Sequence, residues 1–218
     1  MPECQFDNDY ARTYGIVCGT DEAGRGPLFG PVVAAAVVLP EGWLPAGLDD
    51  SKKLTEKKRE ALYDQIIEHA LAYGIAEASA AEIDEINILN ASLLAMRRAV
   101  DQVKETLTPG VILVDGNRNT DFGVPSIPVV KGDALSPSIA AASILAKVTR
   151  DRAIMKLAKE YPLWGLEKHK GYPTAAHMLA VYEHGPSPLH RKSFLSFLER
   201  DHDKLAAALR EKQENSHE

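Results

Sequence analysis

Five short apolar runs punctuate the first 130 residues, most of them cut off by glycine, proline or a charged residue before they reach helical length. Tyr14 to Thr20 runs into Asp21-Glu22, Gly30 to Leu39 is valine- and alanine-rich, and Val111 to Val114 runs into Asp115. Tyr73 to Ser79 and Ile127 to Val130 complete the set. Short runs bounded in this way, the first two rich in β-branched residues, predict strands. The segments between them change period. Thr55 predicts a cap for a helix to about Ala70, with Leu62, Ile66 and Ala70 on one face. Leu93, Met96, Val100, Val103 and Leu107 predict a second helix, which Pro109-Gly110 stops. Ser136-Pro137 reads as an N-cap followed by proline at the first helical position, and the alanines up to Ala146 let that helix lie close against a sheet. Beyond Tyr161-Pro162 the chain reads as helices separated by Gly and Pro turns. The expected plan is a mixed α/β layer followed by helices. It has an N-terminal extension over 1–13, one domain over 14–200 and a charged tail over 201–218 that is helical before it frays.

A chain of 218 residues with 45% apolar side chains buries one sizeable core without disulfide support. Cys4 and Cys18 form no disulfide framework, no stretch approaches ~18 apolar residues, and MPECQFDNDY lacks the layout of a signal peptide. The expectation is a cytoplasmic protein without membrane contact. A net charge of −6 argues against a nonspecific nucleic-acid coat. The charge is uneven, however: Lys52 to Glu60 holds five basic and two acidic side chains, and Lys147 to Lys170 holds seven and three. Such runs are ordinarily solvated helix faces, with Lys147 and Arg150 as surface ion-pair partners, but they also suit a local phosphate-binding surface.

The acids sit at informative places. Asp21 and Glu22 follow one predicted strand, Asp115 follows another, and Asp133 lies between a short strand and a helix start. Singly, each has an ordinary reading as a turn or cap residue. Together they can converge at one edge of a sheet, where mutual repulsion must be relieved by a retained proton or by divalent cations. Oxygen ligands without cysteine favour Mg²⁺ or Mn²⁺ over zinc. Gly24, Gly26 and Gly30 do not make a dinucleotide fingerprint, because the third glycine is one residue late and no helix pattern begins there. His169, His177, His184 and His190 crowd the last third and are expected at the surface or behind a site.

The segments DEAGRGPLFGPVVAAAVV, DDSKKLTEKKRE, NILNASLLAMRRAV, VDGN, VVKGDALSPSIAAASILAKVTRDR, KGYPTAAH and GPSPLHRKSF, in this order, closely resemble the bacterial type 2 ribonucleases H (ribonuclease HII) over about residues 14–198. The resemblance implies a ribonuclease H-like fold: a mixed five-stranded sheet flanked by helices, with a helical C-terminal portion. It implies endonucleolytic hydrolysis of the RNA strand of RNA–DNA hybrids and cleavage at single ribonucleotides in duplex DNA. Asp21, Glu22, Asp115 and Asp133 match the family's metal-binding acids, which hold two divalent ions, and Gly24, Arg25 and Gly26 match its ribonucleotide-reading run. Tyr172 matches the tyrosine that reads the RNA-to-DNA junction. Lys52, Lys53 and Lys170 are candidate phosphate contacts on the basic runs. Phe29, where many relatives carry a smaller residue, is expected to be a packing variation.

The chemistry suits these residues. Two cations about 4 Å apart orient and deprotonate a water and stabilise the departing 3′ oxygen, leaving 5′-phosphate and 3′-hydroxyl ends. Telling RNA from DNA depends on the 2′-hydroxyl, which glycine backbone can approach without a Cβ in the way. The competing readings are another acidic-cluster metal nuclease, which needs neither the glycine–arginine–glycine run nor the tyrosine, and a noncatalytic nucleic-acid- or protein-binding module on the same fold. The expected partners are RNA–DNA hybrid and ribonucleotide-containing duplex DNA. A monomer is expected, since the tail has no evident apolar segment for docking a sliding clamp.

Overall fold

The computed structural model describes residues 2–49, 51 and 53–214. These divide into two compact units, the described residues of Met1–Arg25, Val32–Ala78 and Ile88–Arg150 forming the first, and those of Gly26–Pro31, Ser79–Asn87 and Asp151–Glu218 the second.

The first unit contains a five-stranded mixed sheet: β1 (Val17–Ala23), β2 (Val32–Val38), β3 (Ala72–Ala78), β4 (Val111–Asp115) and β5 (Ser126–Val129), in the order β3-β2-β1-β4-β5. β1 pairs antiparallel with β2 and parallel with β4; β2–β3 is antiparallel and β4–β5 parallel. Every residue of β2 is buried, which explains its unbroken valine and alanine run: both faces are covered, so no polar alternation is needed. Helix α1 (Cys4–Tyr14) packs Phe6, Tyr10 and Ala11 against Val17, Val111, Leu113 and Val129. Its Asp7 accepts a hydrogen bond from the Ser138 amide at 3.0 Å, at the start of α5 (Pro137–Glu160). Helix α2 (Glu56–His69) is capped by the Thr55 hydroxyl, which accepts from Lys58 N at 3.3 Å, and it buries Leu62 and Ile66 in a cluster with Ala35, Val37 and the alanines of α5.

Two glycines set how closely helices approach the sheet. A Cβ on Gly19 would lie 2.3 Å from the Ile139 amide nitrogen, and one on Gly74 would lie 2.1 Å from the Ala99 carbonyl oxygen. Ala99 belongs to α3 (Ala80–Lys104).

Two expectations need correction. The second predicted helix begins thirteen residues before Leu93, at Ala80, and is interrupted at Asn87, whose φ is +64°. Its early start has a local cause: the Ser79 amide donates to Glu82 Oε2 at 2.8 Å and the Glu82 amide donates to Ser79 Oγ at 3.2 Å, a capping box within the second unit. Asp133 lies between β5 and the start of α5, as expected, and within the short α4 (Gly132–Leu135) that precedes α5. Arg150 is not on a helix surface; it is fully buried.

The second unit is helical: the end of α5, then α6 (Leu166–His169), α7 (Ala175–His184), α8 (Phe197–Arg200) and α9 (His202–Glu214). The charged tail is thus helical from His202, and Leu205 packs with Leu28, Val181, Leu195 and Phe197. The segment Gly26–Pro31 is tied into this unit by backbone. Leu28 donates to Gly171 O at 2.8 Å, Arg191 donates to Leu28 O at 2.8 Å, and Gly30 donates to Leu189 O at 2.9 Å. Phe29 is wholly buried, with its ring 5.1 Å from that of His190, in keeping with a packing role. Among the described residues no helix is long and apolar enough to cross a membrane.

Replacing Gly19 by alanine forces a Cβ into the backbone of α5, where no rotamer change relieves it. A loss of about 3 kcal/mol or more is expected, a fall in Tm of about 10 °C, measured by thermal unfolding. An unchanged Tm would contradict the close approach.

Candidate active site

The strand register builds the site. Thr20 pairs with Val114 in the parallel β1–β4 ladder, so the next residue on each strand, Asp21 and Asp115, lies at the same edge of the sheet. Asp21 is 6% exposed. Its Oδ1 accepts a hydrogen bond from the Glu22 amide at 2.7 Å, and the Ser143 hydroxyl of α5 donates to the same carboxyl. Burial pushes the Asp21 pKa well above the ordinary 3.8, and repulsion from Glu22 and then Asp115 pushes in the same direction. These three acids therefore form one electrostatic group.

Asp115 is held from below by backbone. Lys131 takes a left-handed conformation, φ +58°, and turns the following amides toward it. Asp115 Oδ1 accepts from Gly132 N at 2.7 Å, and the Asp133 amide lies 3.4 Å from the same oxygen. Gly132 has no room for a side chain: a Cβ there would meet Ile139 Cδ1 at 2.5 Å and Asp115 Oδ1 at 3.1 Å. Asp133 itself is buried. Glu22 Oε1 pairs with the Arg25 guanidinium at 3.3 Å. Glu22, Arg25, Asp115, Asn117 and Arg118 line one small cavity of about 40 Å³. Among the described residues, no three His, Cys, Asp or Glu side chains are arranged to enclose a metal ion. What suits a divalent cation here is the chemistry of the donors: hard oxygens, no sulfur, and one carboxyl whose charge its neighbours oppose.

The other candidates fall in different places. Gly24 is buried with φ +98°, a conformation that glycine adopts without strain. Arg25 is exposed beside Glu22. Gly26 and Tyr172 lie together in the second unit, where a Cβ on Gly26 would be 3.8 Å from Tyr172 Cε1, and Tyr172 is 40% exposed. Lys170, at φ +51°, closes α6 by donating its amide to Leu166 O at 2.8 Å. Lys53 lies 3.6 Å from Asp49 in an exposed ion pair and is not grouped with the acids; Lys52 lies outside the described residues. Ser143, Lys131, Asn117 and Arg118 belong to the site's surroundings but were not singled out by sequence. Asn117-Arg118, directly after the strand-ending Asp115-Gly116, carried the one available signal.

A mixed sheet in this order, with acids at the ends of adjacent parallel strands, is the ribonuclease H-like fold. The crystal structure of ribonuclease H2 from Pyrococcus horikoshii OT3 superposes with a TM-score of 0.69 at 28% identity, covering 88% of this chain and 99% of that one. The family model for ribonuclease HII matches residues 18–197. Ribonuclease HII of Burkholderia pseudomallei strain 1710b is 56% identical over 179 residues, which span 82% of this chain and 83% of that protein, and that of Burkholderia thailandensis is also 56% identical. The chain belongs to the ribonuclease HII family. It is a ribonuclease, a hydrolase of phosphodiesters.

The raised pKa of Asp21 means that the fold favours its neutral form. Ionisation therefore costs stability progressively as pH rises above the usual carboxylate value of 3.8. Asp21→Asn keeps the acceptor for the Glu22 amide and removes the charge. Without divalent cation at pH 7, its Tm is expected to exceed that of the wild type by a few degrees, and the gap should close as the pH is lowered. Equal melting at pH 7 would contradict the electrostatic account.

Proposed function

We propose that this chain hydrolyses the RNA strand of RNA–DNA hybrids and cuts duplex DNA at single embedded ribonucleotides. Water is the nucleophile, and the products carry 5′-phosphate and 3′-hydroxyl ends. Its service in the cell is the removal of ribonucleotides from DNA, with RNA primers as a further substrate. The observation that carries this reading is the single electrostatic group formed by Asp21, Glu22 and Asp115, with the Asp133 backbone on the same carboxylate.

A phosphodiester repels nucleophiles, and acids alone would repel it further. Asp21, Glu22, Asp115 and Asp133 are the residues that would hold Mg²⁺ or Mn²⁺. Two such ions, when bound, supply the positive charge that orients the water and stabilises the leaving oxygen. The rest is the work of the chain. The Gly132 amide and the Ser143 hydroxyl fix the directions of the Asp115 and Asp21 carboxyls, so that little reorganisation is needed. Arg25 offers a charge-assisted donor to a phosphate. The backbone of Gly24 and Gly26 serves the 2′-hydroxyl, and the exposed face of Tyr172 packs on the neighbouring deoxyribose, where an extra hydroxyl would interfere. Lys52, Lys53 and Lys170 add phosphate contacts along the strand.

The test is a panel of three duplexes, all-DNA, all-RNA, and DNA with one ribonucleotide, each with Mg²⁺ or Mn²⁺. Cleavage confined to the ribonucleotide is expected; equal cutting of plain DNA would overturn the reading. Asp115→Asn removes a charge and almost no volume, so a loss of roughly 10³-fold in kcat with the folded structure retained is expected. Tyr172→Ala should lower kcat/KM for a lone ribonucleotide more than for a long RNA run. Equal losses on both would refute a junction-reading tyrosine.

A further inference from the structure

The second unit contains three imidazoles in contact. The rings of His169 and His177 stack with centroids 4.3 Å apart, and His177 Nε2 lies 3.2 Å from His190 Nε2. His177 is fully buried and His190 is 2% exposed, so neither is a surface residue.

Their remaining partners fix which nitrogen carries each proton. His177 Nδ1 lies 3.0 Å from the Tyr172 carbonyl oxygen, which can only accept, so Nδ1 carries hydrogen. In the neutral ring Nε2 is then an acceptor, and the facing Nε2 of His190 must donate. His190 Nδ1 agrees, since it accepts from the Ser187 amide at 2.9 Å. His169 has Nε2 3.0 Å from the Trp164 carbonyl oxygen, so Nε2–H donates there, and its Nδ1 accepts from the Gly171 amide at 3.3 Å. One set of neutral tautomers thus satisfies all three rings. A second proton on His177 or His190 would set two N–H groups against each other.

The chain of donors ends on a particular piece of backbone. His177 holds the carbonyl of Tyr172 and His169 holds the amide of Gly171, while Gly171 O receives the Leu28 amide at 2.8 Å. Gly171 also lies close against the Phe29 backbone, where a Cβ on it would come 3.1 Å from Phe29 O. His190 is bridged to Phe29. The three histidines therefore connect both sides of the turn that presents Tyr172 to Gly26.

We infer that His190 and His177 form a neutral, directional hydrogen-bond relay to the Tyr172 carbonyl, with His169 stacked on His177 and accepting from the Gly171 amide, and that together they position Tyr172 for reading the ribonucleotide junction. They are positioning residues, and the inference rests on the role proposed for Tyr172. Burial is the main cause that lowers the pKa of both His177 and His190 to about 4, and the neighbouring imidazole adds to it. Burial also lowers that of His169, against the opposing pull of Glu167 and alongside Lys168. Because the folded values lie below the ordinary 6.5, the relay's contribution is complete above that pH and is lost as pH falls toward about 4. The charged side chains facing it are Glu167 and Lys168 on α6, while Arg191, next to His190, turns its guanidinium to Gly30 O and the Phe194 ring.

The experiment has two arms. In the first, ¹⁵N imidazole spectra of the full chain are recorded from pH 7.5 to 5.5. Nδ1–H on His177 and Nε2–H on His190, unchanged across this range, and Nε2–H on His169 at pH 7.5 are expected. Ordinary titration of His177 or His190 near 6.5, or the other tautomer on His177, overturns the relay. In the second, kcat/KM is measured on a duplex with one ribonucleotide and on an RNA–DNA hybrid, for the wild type and for Tyr172→Ala, His177→Phe and His177→Asn. The preference for the single ribonucleotide should fall about tenfold in His177→Phe, as expected for one lost hydrogen bond, and be retained in His177→Asn, whose amide can replace Nδ1–H. A preference that falls in Tyr172→Ala but not in folded His177→Phe overturns the positioning role. A preference unchanged in Tyr172→Ala overturns the reading of Tyr172 itself. The spectra stand even where His177→Phe does not fold.

Discussion

Parallel pairing of β1 with β4 places two like charges at one sheet edge, and α5 then removes water from one of them. Asp21 would move to solvent if it were free to do so, because both its burial and its neighbours oppose its charge. Main-chain hydrogen bonds of the ladder prevent this, since shifting β1 by one residue would turn every side chain of a largely buried strand to the other face. The rest of the first unit conforms to that demand. Gly19 lets α5 come close, Ser143 on α5 hydrogen-bonds the buried carboxyl, and Lys131 accepts a left-handed backbone so that amides meet Asp115. Stability is given up where charge is concentrated, a trade common to sites that must hold a charged ligand.

The second unit handles buried polarity in the opposite way. His169, His177 and His190 favour the neutral form, each ring nitrogen facing a partner of the complementary kind, so burial there costs little. One buried acid, Asp21, favours its proton, and three imidazoles favour the loss of one. Both consequences follow from withdrawing ionisable groups from water.

The sheet was legible in the sequence because its strands are short, buried and sharply bounded. VILV ending in Asp115 and the valine–alanine run of β2 admit few other readings. The grouping of the acids was legible only as a possibility until the resemblance fixed their partners, since nothing in a linear pattern gives the register of a parallel ladder whose strands lie about ninety residues apart. The helix over Ala80–Lys104 was read short because Asn87 breaks its period, although Ser79 and Glu82 mark its start. Arg150 was misread because a basic residue in a basic run looks solvated, whereas here it is fully buried. The histidine relay was out of reach, as it depends on which ring nitrogen faces which carbonyl.

The glycine–arginine–glycine run shows how far fold and function can be separated in one short segment. Gly24 has φ +98°, so the backbone accounts for it without reference to any substrate. Gly26 is different. Its φ is not positive, it is exposed, and a Cβ would make only ordinary contact with the Tyr172 ring at 3.8 Å. The folded chain alone would tolerate alanine there. A position that is bare without structural need, beside a half-exposed aromatic face, leaves room for a molecule from outside. Under the proposed function that molecule is a sugar bearing a 2′-hydroxyl, read by backbone on one side and by the tyrosine on the other.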